Sequence, residues 1–136
     1  VYVDKKYFPD YNKVPDLVVE FVSNINKKLN QNLDDDDVLN LASDAHYNLV
    51  NIHPFADGNG RLSRLIMNYI LMCFNQPFVK IFTEDRIEYI DALNATEEKE
   101  DLGVFRTFIA SQQIKFFKNE IEKFQNSKKG FNLMFW

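Results

Sequence analysis

Apolar residues recur along this chain three or four positions apart, from residue 14 almost to its end. Leu17, Val18, Phe21, Val22, Ile25 and Leu29 share one helical face. Pro15 suits the first turn of that helix, and Asn30 to Asn32 stops it. Asp34 to Asp37 is a run of four acids. A calcium loop would need a different ligand pattern and a central glycine. The run therefore predicts the start of a second helix, where acids favour the dipole. Val38, Leu39, Leu41, Ala42, Ala45, Leu49 and Ile52 continue it. Pro54 pushes His53 out of helical geometry, so the helix ends at about Ile52. After a polar, glycine-bearing loop over 53–60, Leu62, Leu65, Ile66, Tyr69, Ile70 and Cys73 predict a third helix with a wide apolar face.

Asn75, Gln76 and Pro77 end that helix, and Phe78 to Phe82 is a short apolar run. A fourth helix is predicted over about Thr83 to Asn94, then a charged connector from Thr96 to Asp101. Leu102 to Phe124 predicts one long helix or two, broken by Asn126 to Gly130, with Phe131 to Trp136 as an apolar tail suited to pack on the core. Only the start departs from the pattern. Val1-Tyr2-Val3 followed by Asp4-Lys5-Lys6 reads as half a β-hairpin whose partner strand is not evident in the chain, so Val1 is expected to be a cut point. The expected architecture is a single all-α domain over 1–136. It comprises an approach segment over 1–12, a helical core over 13–125 and a tail over 126–136.

A length of 136 residues holds one core and not two. The net charge is −4 and no basic stripe emerges, which disfavours nucleic acid as a partner. A single cysteine, Cys73, excludes an internal disulfide framework and a cysteine-based zinc site. No apolar run approaches membrane-spanning length and no signal peptide opens the chain, so a soluble cytoplasmic domain is expected. Only four glycines occur, yet Gly58 and Gly60 lie two positions apart. Something there needs an unusual backbone path.

The segment is His53-Pro54-Phe55-Ala56-Asp57-Gly58-Asn59-Gly60-Arg61-Leu62-Ser63-Arg64. A loop running straight into a helix N-terminus offers free N–H groups and a positive dipole end, which suits an anion. Gly58, Asn59 and Gly60 tolerate positive φ and can turn several N–H groups inward as a nest. Arg61 and Arg64 lie three apart and can clamp the same anion. Asp57 is a hard oxygen donor, and Mg²⁺ typically takes one or two carboxylates beside substrate phosphates. His53 is suited to act as a general base. Each residue also has a plainer reading: a structural histidine, a turn, a cap, surface charge. Their concurrence within 12 residues of a glycine-poor chain favours phosphoryl or nucleotidyl transfer. His46, seven residues before His53, reads as a hydrogen-bonded structural histidine rather than a metal ligand.

The twelve-residue segment resembles the extended signature of Fic domains, HPFx(D/E)GNGRxxR, with no departure at a fixed position. The likeness extends over most of the chain and implies a Fic-like helical domain with a short N-terminal β-hairpin flap, here partly missing. It implies transfer of AMP from ATP to a Ser, Thr or Tyr hydroxyl of a target protein. In that family pattern His53 would deprotonate the hydroxyl and Asp57 would hold Mg²⁺ against the phosphates. Gly58, Asn59, Gly60, Arg61 and Arg64 would bind the phosphates, Phe55 would anchor the loop in the core, and Tyr89 would lie against the base. Near Glu97 some relatives carry a nucleotide-binding Asn, which this chain lacks. The flap, over Val1 to Tyr7, would align the target by strand pairing.

Gly60 stands where the Doc-like kinases carry Lys, which favours AMP over phosphate as the transferred group. Other readings are transfer of UMP or phosphocholine, removal of AMP, modification of the chain itself, or a nucleotide-sensing helical module without catalysis. Many Fic proteins carry an inhibitory helix, (S/T)xxxE(G/N). Thr96 to Glu100 fits its first five positions, but Asp101 follows and the segment reads as a connector. The resemblance then implies that inhibition comes from residues upstream of Val1 or from a separate antitoxin-like protein.

Overall fold

The computed structural model describes residues 6–134, with side chains through residue 130. Residues 1–5 of the expected half-hairpin lie outside the described residues. Among the described residues the fold is all-α. The helices are α1 (Val14–Leu29), α2 (Asp35–Ile52), α3 (Asn59–Cys73), α4 (Arg86–Lys99) and α5 (Leu102–Met134), with a 3-10 turn at Thr83–Asp85. No strand occurs among these residues. The chain divides into two compact units, one through Phe78 and one from Val79 onward.

The first unit is built on α2 and α3. Asp34 caps α2, its carboxylate accepting the Asp37 N–H at 2.8 Å, and Asp35, Asp36 and Asp37 fill the first turn. Val38, Ala42, Ala45, His46 and Leu49 then bury one stripe of α2. Met67, Ile70 and Leu71 supply the apolar face of α3, with Ser63 buried at its start. Ser63 is satisfied locally, its hydroxyl donating to the Asn59 carbonyl at 2.8 Å. The Gln76 amide donates to Asp35 at 2.7 Å and ties the end of α3 to the start of α2. α1 packs more loosely. Leu17, Phe21, Ile25 and Leu29 are half-buried, Val22 is exposed, and no α1 residue is fully buried. A cleft of about 680 Å³ opens between α1 and α2.

In the second unit Phe105 and Ile109 of α5 are buried, as are Ala92, Leu93 and Thr96 of α4. Gln112 accepts the Phe82 N–H and donates to Asp85, both at 2.9 Å. The Lys115 ammonium reaches Asp85 at 2.7 Å and Glu84 at 3.2 Å and lies 4.5 Å from the Phe82 ring centre. The hydrogen bond from Lys115, then that from Gln112, holds the Asp85 carboxyl below its usual range.

Two expectations are corrected here. Thr96 is not in a connector: α4 runs to Lys99, with the Thr96 hydroxyl donating to the Ala92 carbonyl at 2.7 Å. The turn is made by Glu100 in the left-handed region, with the Asp101 N–H closing onto the Thr96 carbonyl at 3.1 Å. Asn126 to Gly130 does not break α5 either, which continues to Met134. One glycine in an exposed helix costs only ~1 kcal/mol relative to alanine, and Lys128 and Lys129 are good helix formers. The packing expected of Phe131 to Trp136 falls outside the described side chains.

Candidate active site

The loop between α2 and α3 starts at a strained residue. His53 follows the last turn of α2, its N–H donating to the Leu49 carbonyl at 3.1 Å, with φ 52° and ψ 59°. Pro54 prevents the helix from continuing, and the chain reverses through the left-handed region at a non-glycine residue. Such a conformation costs on the order of 1–3 kcal/mol and persists only where its surroundings impose it. The Phe8 ring stacks on the imidazole, with centres 4.0 Å apart and planes 24° apart.

Phe55 does not anchor the loop in the core: the residue is 57% exposed. The anchor is its backbone. The Phe55 N–H donates to Asn59 Oδ1 at 3.0 Å, and Asn59 Nδ2 donates back to the Phe55 carbonyl at 2.6 Å. Asn59 is itself buried. Its side-chain amide is therefore committed to holding the loop.

Gly58 has φ 85° and caps α3, which begins at Asn59. The expected run of positive-φ residues thus reduces to one, because Asn59 and Gly60 are already helical. The first helical bond runs from the Leu62 N–H to the Gly58 carbonyl at 2.9 Å. The N–H groups of Asn59, Gly60 and Arg61 precede it and stand at the positive end of the helix dipole, an arrangement suited to an anion. Both arginines fold back over the glycines. A Cβ on Gly58 would lie 3.4 Å from Arg61 Nη2, and one on Gly60 would lie 3.6 Å from Arg64 Nη1.

Asp57 projects into solvent, its side chain 95% exposed. Its Oδ1 accepts the Gly58 N–H at 2.7 Å and its Oδ2 lies 3.4 Å from Arg61 Nη2. Among the described residues no cluster of three or more His, Cys, Asp or Glu side chains could hold a metal alone. An accessible carboxylate beside a helix N-terminus would fit an ion carried largely by phosphates.

His46 lies fully buried on α2. Burial, and then the charge of Arg64, lowers its pKa to about 3, so the imidazole is neutral. Tyr89 belongs to the second unit, half-buried on α4 with its ring 6.2 Å from Phe105 and 6.0 Å from Phe108. The α2–α3 loop thus gathers His53, Asp57, Gly58, Asn59, Gly60, Arg61 and Arg64 in one unit. Sequence reasoning missed two parts of it: the Phe8 stack, and the return of the Asn59 side chain to Phe55. Phe8 carries no pattern that would have exposed it. Asn59 was masked by its reading as a turn residue.

A helical fold that gathers a histidine, an acid and two arginines around one helix N-terminus is the arrangement the Fic resemblance implies. The chain belongs to the Fic/DOC family, whose model matches residues 4–71. It is 51% identical over 69 residues to a protein named Protein adenylyltransferase Fic from Aedes aegypti, and 49% identical over 72 residues to the protein of that name from Drosophila mojavensis. Those matches cover 51% and 53% of this chain but only 14% of each relative. A Fic domain containing signalling protein from Bacteroides thetaiotaomicron shares the fold, with a TM-score of 0.73 and 24% identity over 85% of this chain and 48% of that one. No helix among the described residues is long and apolar enough to cross a membrane.

Proposed function

We propose that this chain transfers AMP from ATP to a serine, threonine or tyrosine hydroxyl of a protein. One observation supports this most: five residues of a loop locked by Asn59 onto Phe55 separate His53 from the free N–H groups at the start of α3. In this reading His53 takes the hydroxyl proton as the oxygen attacks the α-phosphorus. The bond from that phosphorus to the bridging oxygen breaks and pyrophosphate leaves. The N–H groups of Asn59, Gly60 and Arg61, with the Arg61 and Arg64 guanidinium groups, hold the phosphates and balance their charge. Asp57 would hold Mg²⁺, which when bound neutralises phosphate charge. The adenylyltransferase names of the relatives agree with this reading.

The test is incubation of the chain and a cell lysate with Mg²⁺ and ATP labelled at either the α- or the γ-phosphate. Label from the α-phosphate alone should enter protein, the chain itself included, and His53→Ala should abolish it. Label from the γ-phosphate alone would instead indicate phosphate transfer. ATP binding without transfer would indicate a sensing module. Persistent labelling by His53→Ala would remove His53 from the base role.

A further inference from the structure

We propose that Phe8 is a positioning residue for His53: its stacked ring fixes the plane in which the imidazole presents its proton-accepting edge. This rests on the AMP-transfer reading, in which His53 is the base.

The backbone at His53 is tightly defined by its left-handed conformation, the preceding helix and the following proline. The ring is not defined by any of these. The torsion between Cβ and an imidazole is broad and roughly two-fold, so a fixed backbone leaves the ring free to turn. Among the described residues no hydrogen bond to the imidazole restrains it. The contact that does is Phe8, 4.0 Å away and 24° from parallel. A near-parallel stack covers one face of the imidazole and leaves its edge, where both nitrogens lie, open to a reactant. That is the arrangement a base needs, because proton transfer requires hydrogen-bond reach along the ring plane.

Phe8 is held from behind. Pro9 fixes its own φ and lines the α1–α2 cleft with Leu17 and Ile52. Asp10 then starts a turn, its carbonyl accepting the Lys13 N–H at 2.8 Å and its carboxylate the Asn12 N–H at 3.1 Å, which leads into α1. The stack therefore joins the segment ahead of α1 to the C-terminal end of α2. An aromatic at position 8 can do this; an aliphatic side chain fills the space without setting a plane.

The experiment has two arms on the full chain. The first is a proton–carbon correlation spectrum of the imidazole rings. The chain has two histidines, so His53→Ala assigns the signals by loss. The His53 ring protons should be displaced upfield by the Phe8 ring current, return towards ordinary values in Phe8→Leu, and be displaced again in Phe8→Tyr. The second arm is AMP transfer. Phe8→Leu should lower kcat by about 10- to 100-fold, the scale of a misplaced catalytic group, with KM for ATP and the melting temperature unchanged. Phe8→Tyr should restore kcat. Ring protons of His53 that do not respond to Phe8→Leu would overturn the stack. A spectral response with unchanged kcat would overturn the positioning role. Absence of transfer by the unsubstituted chain would overturn the AMP-transfer reading and the role with it, while the spectra would still report the stack.

Discussion

Asn59 binds both backbone groups of Phe55, accepting its N–H at 3.0 Å and donating to its carbonyl at 2.6 Å. This closes the loop with one side chain from the first residue of α3. The loop thereby keeps its shape with Phe55 exposed and no apolar anchor at that position. Asn59→Ala removes both bonds and leaves two backbone groups to find water. At a net of ~1 kcal/mol each, it should cost ~2 kcal/mol of stability. Asn59→Asp keeps the acceptor but replaces the donor with a buried carboxylate oxygen facing the Phe55 carbonyl, so it should cost more than Asn59→Ala. Denaturant midpoints for the two variants check the order, and Asn59→Asp as the more stable of the two would contradict it.

The two glycines are not equivalent. Gly58 has φ 85°, and a Cβ there would also approach Arg61 Nη2 at 3.4 Å. Gly58→Ala should therefore cost on the order of 1–2 kcal/mol from left-handed strain alone and displace Arg61. Gly60 is helical, and a Cβ there would make ordinary contact with Arg64 at 3.6 Å. Gly60→Lys should fold with nearly unchanged melting temperature. Its informative readout is the label: incorporation should move from the α- to the γ-phosphate of ATP.

Asp57 contributes little to folding in this geometry. Its pairing with Arg61 spans 3.4 Å between side chains that are 95% and 74% exposed, and such pairs are worth at most ~1 kcal/mol. Asp57→Asn should leave thermal stability nearly intact while removing the dependence of transfer on Mg²⁺ concentration. Calorimetric titration of Mg²⁺ with ATP present measures that loss directly. An unchanged metal dependence would move the ion elsewhere.

Stability should depend on acid through His46. Burial and the charge of Arg64 lower its pKa from 6.5 to about 3 in the folded chain. Between those values the unfolded chain binds a proton that the folded one does not. Stability contributed by neutral His46 is thus full above pH 6.5 and falls by up to ~1.4 kcal/mol per unit as pH drops below it. Urea midpoints measured from pH 7 to pH 4 give the slope. His46→Gln, even at lower overall stability, should flatten it.

Most of the helical layout was legible because each signal was local. Four acids after Asn32 announced the start of α2, Pro54 announced its end, and apolar spacing carried α1 and α3. The errors fell where a local signal competed with a longer-range one. Asn126 to Gly130 looks like a break, yet nothing in it forbids a helix. Thr96 to Asp101 looks like a charged connector, yet Thr96 is buried and hydrogen-bonded in α4. At the loop the residue types pointed to anion chemistry, but their division of labour did not. Three positions read as a nest became one positive-φ glycine, one clamp and one helical glycine. Phe8 could not be found at all, because its partner lies 45 positions away and the contact leaves no periodic trace.

His53 sits in a conformation that glycine would adopt without strain. His53→Gly is therefore expected to hold the end of α2 more comfortably than the natural residue does, offset by loss of the Phe8 stack. A chain selected for stability alone would have little reason to keep an imidazole there. The position marks a trade between robustness and reactivity, with the proposed base standing at a joint that the fold would form more easily without it.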